Sequence, residues 1–215
     1  MSSTRAETTR QKILDAANRL LLERGYHGVG LEEVAQAAGF TRQTVYDRFG
    51  SKAGLLTAMV TRAEDLAGLP QRLPRVWAQP TGIRTLRAFL DTVAAVEPQV
   101  YPYSRLMHAA RLEDPTAAQL WEWRMASRYA GMAMVMGRLA AEGRLGEGVT
   151  IDEAADVASA LTAPQQYEFL VLGHGWSVER YRAHLERTIM ARLLKTAPRR
   201  RPSRAVEGTL KGDPE

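Results

Sequence analysis

Gly39-Phe40-Thr41-Arg42-Gln43-Thr44-Val45-Tyr46-Asp47-Arg48-Phe49-Gly50-Ser51-Lys52 is the stretch on which the fold turns. Glycine at 39 lets the chain bend sharply through a positive φ. Thr41 then stands as the N-cap of a short helix, its hydroxyl placed to accept from an unpaired backbone N–H. Phe40 before the cap and Val45 four residues into the helix are spaced as a hydrophobic staple, which fixes the angle at which the helix begins. Val45 and Phe49 face inward together, four apart. Arg42, Gln43, Thr44, Tyr46 and Arg48 are left on the outer and lateral faces.

Upstream, Ile13, Ala16, Ala17, Leu20 and Leu21 form one apolar stripe at helical spacing over about 9–24, closed by Gly25. A second helix follows over 31–38, with Leu31, Val34, Ala35 and Ala38 inward, ended by Gly39. Two short helices joined by a glycine turn, the second with a polar outer face, are a helix-turn-helix. The second helix of such a pair fits a DNA major groove, where its N-terminal residues meet base edges. Ser51 caps a further helix over about 51–62, and Lys52 beside its free N–H groups suits a phosphate.

The run Gly25-Tyr26-His27-Gly28-Val29-Gly30-Leu31-Glu32-Glu33-Val34-Ala35, continued by Ala37 to Lys52, resembles the tetracycline-repressor family of bacterial transcription regulators. The likeness covers about a quarter of the chain. It implies that Thr41, Arg42, Thr44, Tyr46 and Lys52 contact phosphates, with Gln43 the best base reader; Arg48 completes the DNA-facing set. Glutamine suits a bidentate pair with adenine, and Arg42 suits guanine. The chain departs from the family in two places. Val29-Gly30 stands where a hydroxyl residue usually begins the second helix, and Asp47 sets an acid among groups that face phosphate.

Helical periodicity dominates the remainder, so the fold class is all-α: an N-terminal three-helix reading domain over 8–60 and a helical bundle over 61–195. A third segment, 196–215, is expected to be a disordered basic tail. Breakers at Pro70 to Pro80, Pro98 to Pro102, Asp114-Pro115, Gly143 to Thr150 and Gly173 to Ser177 divide the bundle. Helices are expected over 83–96, 103–112, 116–141, 151–172 (kinked at Pro164) and 178–194. Thr150 and Ser177 are the N-caps of the last two.

The formal charge of +5 is largely a property of the tail, where Lys195, Arg199, Arg200, Arg201 and Arg204 stand without an acid among them. Residues 1–60 carry only eight basic against six acidic side chains. With 45% hydrophobic residues the chain can bury a real core, and no apolar run approaches the roughly 20 residues that span a bilayer. Cysteine is absent, which excludes disulfides and thiolate metal sites. A polar N-terminus without a secretory pattern leads to an expected cytoplasmic location.

One reading helix discriminates poorly, so a homodimer on a pseudo-palindromic double-stranded operator is expected. Leu161, Leu172, Tyr181, Leu185 and Ile189 are the candidate dimer interface, and the resemblance implies a four-helix interface there. Tyr103, Arg105, Met107, His108, Trp121, Met125, Tyr129 and Phe169 are the candidate pocket for a small-molecule effector. Methionine and aromatic side chains adapt to apolar ligands, and Arg105 with His108 is spaced to hold a carboxylate. The histidines His27, His108, His174 and His184 lack metal-ligand spacing, and there is no glycine-rich phosphate loop or GxSxG elbow. No cofactor, metal or catalytic residue is expected. The expected role is a repressor released by its effector, against two rivals. One is an effector-free DNA binder acting constitutively or through a protein partner. The other is a helical ligand-binding or enzymatic protein that has lost DNA binding.

Overall fold

The computed structural model describes residues 2–195; the expected tail over 196–215 lies outside the described residues. Among the described residues ten α-helices follow one another: α1 (Ser2–Arg24), α2 (Leu31–Ala38), α3 (Arg42–Phe49), α4 (Lys52–Leu66), α5 (Leu69–Trp77), α6 (Gly82–Ala110), α7 (Pro115–Ala141), α8 (Ile151–Leu161), α9 (Pro164–Tyr167) and α10 (Val178–Leu193). A π-helical segment, Glu168–Gly173, continues α9. The described residues otherwise hold one isolated antiparallel bridge, Leu145 to Leu194. The all-α reading stands.

Short helices with strong local signals lie where the sequence puts them. The N-caps Thr41, Ser51, Thr150 and Ser177 all accept a backbone N–H in the first turn that follows. The first helix begins at Ser2, earlier than expected.

Proline-marked regions differ more. The stretch read as a break at Pro70 to Pro80 contains α5: Pro70 falls in a first turn where its missing N–H costs nothing, and Pro74, inside the helix, lies on its exposed side. Leu69, Leu73, Val76 and Trp77 then share one inward face. The two helices expected over 83–96 and 103–112 are one, α6, running through both Pro98 and Pro102. Pro98 is exposed and Pro102, one turn on, is half-exposed, while Val96, Val100, Leu106 and Met107 are buried on either side. Burial along the inner face outweighs the hydrogen bonds that the prolines remove on the outer one. The helix expected over 151–172 ends at Leu161, and Pro164 starts α9 as its first residue rather than kinking a longer helix.

The core forms two clusters. One gathers Ile13, Leu14, Leu21, Val34, Val45 and Leu56 around the helix-turn-helix and continues into the C-terminal half of α6 through Val100 and Met107. The other packs Leu86, Leu90, Met136 and Leu139 against Ala154, Ala158, Tyr181, Leu185 and Ile189. α6 thus serves both clusters, and α4 packs on it from the reading side.

Candidate nucleic-acid interface and inner cavity

α3 is held from both ends and from beneath. Thr41 Oγ1 accepts from the Thr44 N–H at 3.2 Å and lies 2.9 Å from Thr44 Oγ1. Val45 is fully buried, and Phe49 packs on the same core with the Arg10 guanidinium 5.9 Å from its ring centre. Gly50, with φ of 72°, ends the helix, and Ser51 Oγ accepts from the Gly54 N–H at 2.9 Å to begin α4. The chain approaches itself so closely here that a Cβ on Gly54 would lie 2.0 Å from the Phe49 carbonyl oxygen. α3 and α4 are therefore one stiff corner.

On the outer side Arg42, Gln43, Tyr46 and Arg48 are exposed together, Tyr46 with 56% of its surface in water. Asp47 lies among them and accepts from Gln43 Nε2 at 2.6 Å. The acid is thus satisfied by the expected base reader, four residues back. At the start of α2, Val29 is buried, and the Glu33 carboxylate accepts from the Gly30 N–H at 2.9 Å and pairs with Arg24 at 2.8 Å. The Gly30 N–H and then Arg24 hold the Glu33 carboxyl below its usual range.

Lys52 faces inward more than the sequence suggests. Its ammonium sits 4.2 Å from the centre of the Tyr26 ring, and burial pushes its pKa down. The Tyr26 hydroxyl donates to Asp114 Oδ2 at 2.6 Å. Asp114 is also the N-cap of α7, its Oδ1 accepting from Thr116 N–H at 2.9 Å and Ala117 N–H at 3.2 Å. Those bonds, led by the one from Tyr26, hold the Asp114 carboxyl below the usual carboxylate range. Tyr26 in turn is shifted upward by burial. One carboxylate therefore ties the loop before α2 to the start of α7.

A cavity of about 480 Å³ lies between α4, α5, α6 and α7. Leu73 and Trp77 of α5 form one wall, Phe89, Val93 and Val96 of α6 another, and Trp123, Ser127, Ala130, Gly131 and Met134 of α7 a third. None of the eight residues expected to line a pocket lines this one. The Tyr103 hydroxyl donates to Asn18 Oδ1 at 2.6 Å, Met107 is in the core, and Arg105 is exposed. His108 packs edge-on to Trp121, with ring centres 4.8 Å apart, and its Nε2 accepts from Arg111 at 2.8 Å. His108 thus spends Nε2 on Arg111 while Arg105 is exposed, and burial, then Arg111, lowers the His108 pKa. Met125 is half-buried, and Tyr129 and Phe169 face water, the Phe169 ring tilted against His174 with ring centres 4.4 Å apart.

Two ion pairs border the cavity. Arg128 reaches Glu97 Oε2 at 3.2 Å and donates to the Thr162 carbonyl at 2.6 Å. Arg124 of α7 meets Glu64 of α4 at 2.7 Å.

The dimer stripe also needs correction. Tyr181, Leu185 and Ile189 are buried within the chain itself, in the cluster that α10 shares with α6 and α8, so they cannot meet a second copy. Leu161 is half-buried and Leu172 is exposed beside Phe169. Among the described residues no helix is long and apolar enough to cross a membrane, and no group of three His, Asp or Glu could hold a metal.

Residues 13–59 match the model of the bacterial regulatory proteins, tetR family. Over 56 residues the chain is 45% identical to the HTH-type transcriptional regulator AlkX of Mycobacterium tuberculosis, a match spanning 26% of each protein. Solved structures extend the likeness of fold much further. NalD, the secondary repressor of the MexAB-OprM multidrug efflux pump of Pseudomonas aeruginosa, superposes with a TM-score of 0.67 at 24% identity, covering 88% of this chain and 98% of NalD. AibR, solved with isovaleryl coenzyme A and operator DNA, gives 0.62 at 21% identity over 84% of this chain and 97% of its own.

Proposed function

We propose, starting from a reading head that matches the tetR family over residues 13–59, that the chain is a homodimeric, cytoplasmic transcription regulator, a repressor released from its operator by a small-molecule effector. The observation that carries the DNA reading is the exposed polar face of α3. Arg42, Gln43, Tyr46 and Arg48 project from a helix whose cap, corner and inner face are all fixed. A rigid element with adaptable donors on one side is what major-groove reading requires. Thr41, Thr44 and Lys52 flank that face as phosphate contacts, Lys52 after leaving the Tyr26 ring.

AibR, similar in fold, is seen with operator DNA and an acyl coenzyme A, which supports a shared plan of reading head and ligand cavity. The cavity also favours an effector over the effector-free rival, whose second domain needs no void. Ligand in the cavity shifts the population toward a form in which α4 and the attached α3 sit at the wrong separation for two half-sites about 34 Å apart. The dimer surface in this reading is the exposed one around Leu161, Phe169 and Leu172.

Fluorescence anisotropy with genomic DNA fragments from around the coding region tests the reading. One fragment is expected to bind in a sequence-dependent way, and Gln43→Ala to cost about 1–3 kcal/mol on that fragment alone. Equal binding of every fragment by both proteins would sink it.

A further inference from the structure

The cavity's two ion pairs differ in what they leave for a ligand; the inference here rests on the effector reading above. Glu97–Arg128 leaves an acceptor: Glu97 is 1% exposed, its Oε1 is buried without a partner among the described residues, and Arg128 spends a second nitrogen on the Thr162 carbonyl. Arg124–Glu64 leaves a donor. Arg124 reaches Glu64 through Nη1, while Nε–H of the same guanidinium is buried with no acceptor among the described residues. A guanidinium with an unmet donor is poised to take a further acceptor.

A charged ligand entering here displaces one partner of that pair. The Arg124 side chain is 11% exposed and belongs to the middle of α7, whereas Glu64 is 23% exposed and stands near the C-terminal end of α4. Water already reaches Glu64 more readily, so returning its carboxylate to solvent costs less than expelling the guanidinium. The group that enters is therefore the one that replaces Glu64.

We propose that the cavity binds an amphipathic carboxylic acid. Its apolar body lies against Trp77, Phe89 and Trp123, and its carboxylate takes Arg124 from Glu64. The volume of about 480 Å³ suits a drug-sized molecule. The exchange gives the ligand a direct consequence, because Glu64–Arg124 ties the helix that carries the reading corner to the wall of the cavity. Once Glu64 is released, α4 loses a tether to α7 and the balance of domain positions shifts.

The test titrates the full chain at neutral pH with 4-phenylbutanoate, its neutral amide and 4-phenylbutylamine, following the emission of the four tryptophans, of which Trp77 and Trp123 line the cavity, and confirming by calorimetry. The acid is expected to bind about tenfold or more tighter than the amide, the difference a charge-assisted bidentate contact makes. Arg124→Gln is expected to erase that preference. Glu64→Gln is expected to tighten the acid several-fold and leave the amide alone, since Arg124 is then uncontested. An amide that matches the acid, an amine that exceeds it, or a Glu64→Gln protein that holds the acid more weakly overturns the proposal. If the amine or amide alone weakens operator binding, the effector reading survives and the carboxylate reading falls. If none of the three binds the native chain, the carboxylate reading falls as well.

Discussion

Gln43 and Asp47 stand four apart on the exposed side of α3, and the 2.6 Å bond between them takes one of the two Nε2 donors. Gln43 can then offer a base its second N–H and its Oε1, and Asp47 stays on the face proposed to meet DNA, where its charge repels phosphate. Asp47→Ala is expected to raise operator affinity about three- to tenfold by removing that repulsion, and to change the slope of affinity against salt. An unchanged Kd in anisotropy would show that the acid never faces the backbone. Tyr26 offers a second test. Tyr26→Phe keeps the ring under Lys52 but strips Asp114 of its hydroxyl donor, at a cost of about 1.5–3 kcal/mol in chemical denaturation. The sign with pH follows from the lowered Asp114 pKa. Its contribution is complete above the ordinary carboxylate value near 4 and fades as pH falls through the lower folded one. The native protein should therefore lose stability below about pH 4 more steeply than the phenylalanine variant.

Helix by helix, legibility followed the locality of the signal. α2, α3 and the start of α4 were readable because Gly39, Thr41, Gly50 and Ser51 act within a few residues of themselves. α5 and the unbroken α6 were not, since prolines announce a break locally while burial along a whole face decides otherwise. The cavity was missed for a related reason. Trp121, Met125 and Tyr129 form the conspicuous stripe of α7, but room is made by Ser127, Ala130 and Gly131, and small residues give no positive signal. Each element invites a measurement. Pro98→Ala restores an N–H to an exposed turn of α6 and should stabilise the protein by about 1–3 kcal/mol in thermal unfolding. Gly54→Ala, whose Cβ would collide with the Phe49 carbonyl, should cost roughly 2–4 kcal/mol and weaken operator binding by loosening the corner.

For the molecule as a whole, the proposed dimer rests on the surface that remains after Tyr181, Leu185 and Ile189 are assigned to the chain's own core. Phe169 and Leu172 are 61% and 57% exposed on the π-helical segment, an apolar pair left at the surface. Phe169→Glu is expected to turn a sedimenting dimer into a monomer and to reduce operator affinity with it. A native chain already monomeric at micromolar concentration would remove the dimer from the scheme. Asp114, finally, does two jobs with one carboxylate, capping α7 with Oδ1 and holding Tyr26 with Oδ2. The amide protons of Thr116 and Ala117 are bonded to that side chain, so their exchange with deuterated solvent is a clock for the joint between the two halves. Whatever loosens the Tyr26 contact should quicken those two amides before any others in α7, letting a spectrometer follow the reading head across a contact that spans 88 residues of chain.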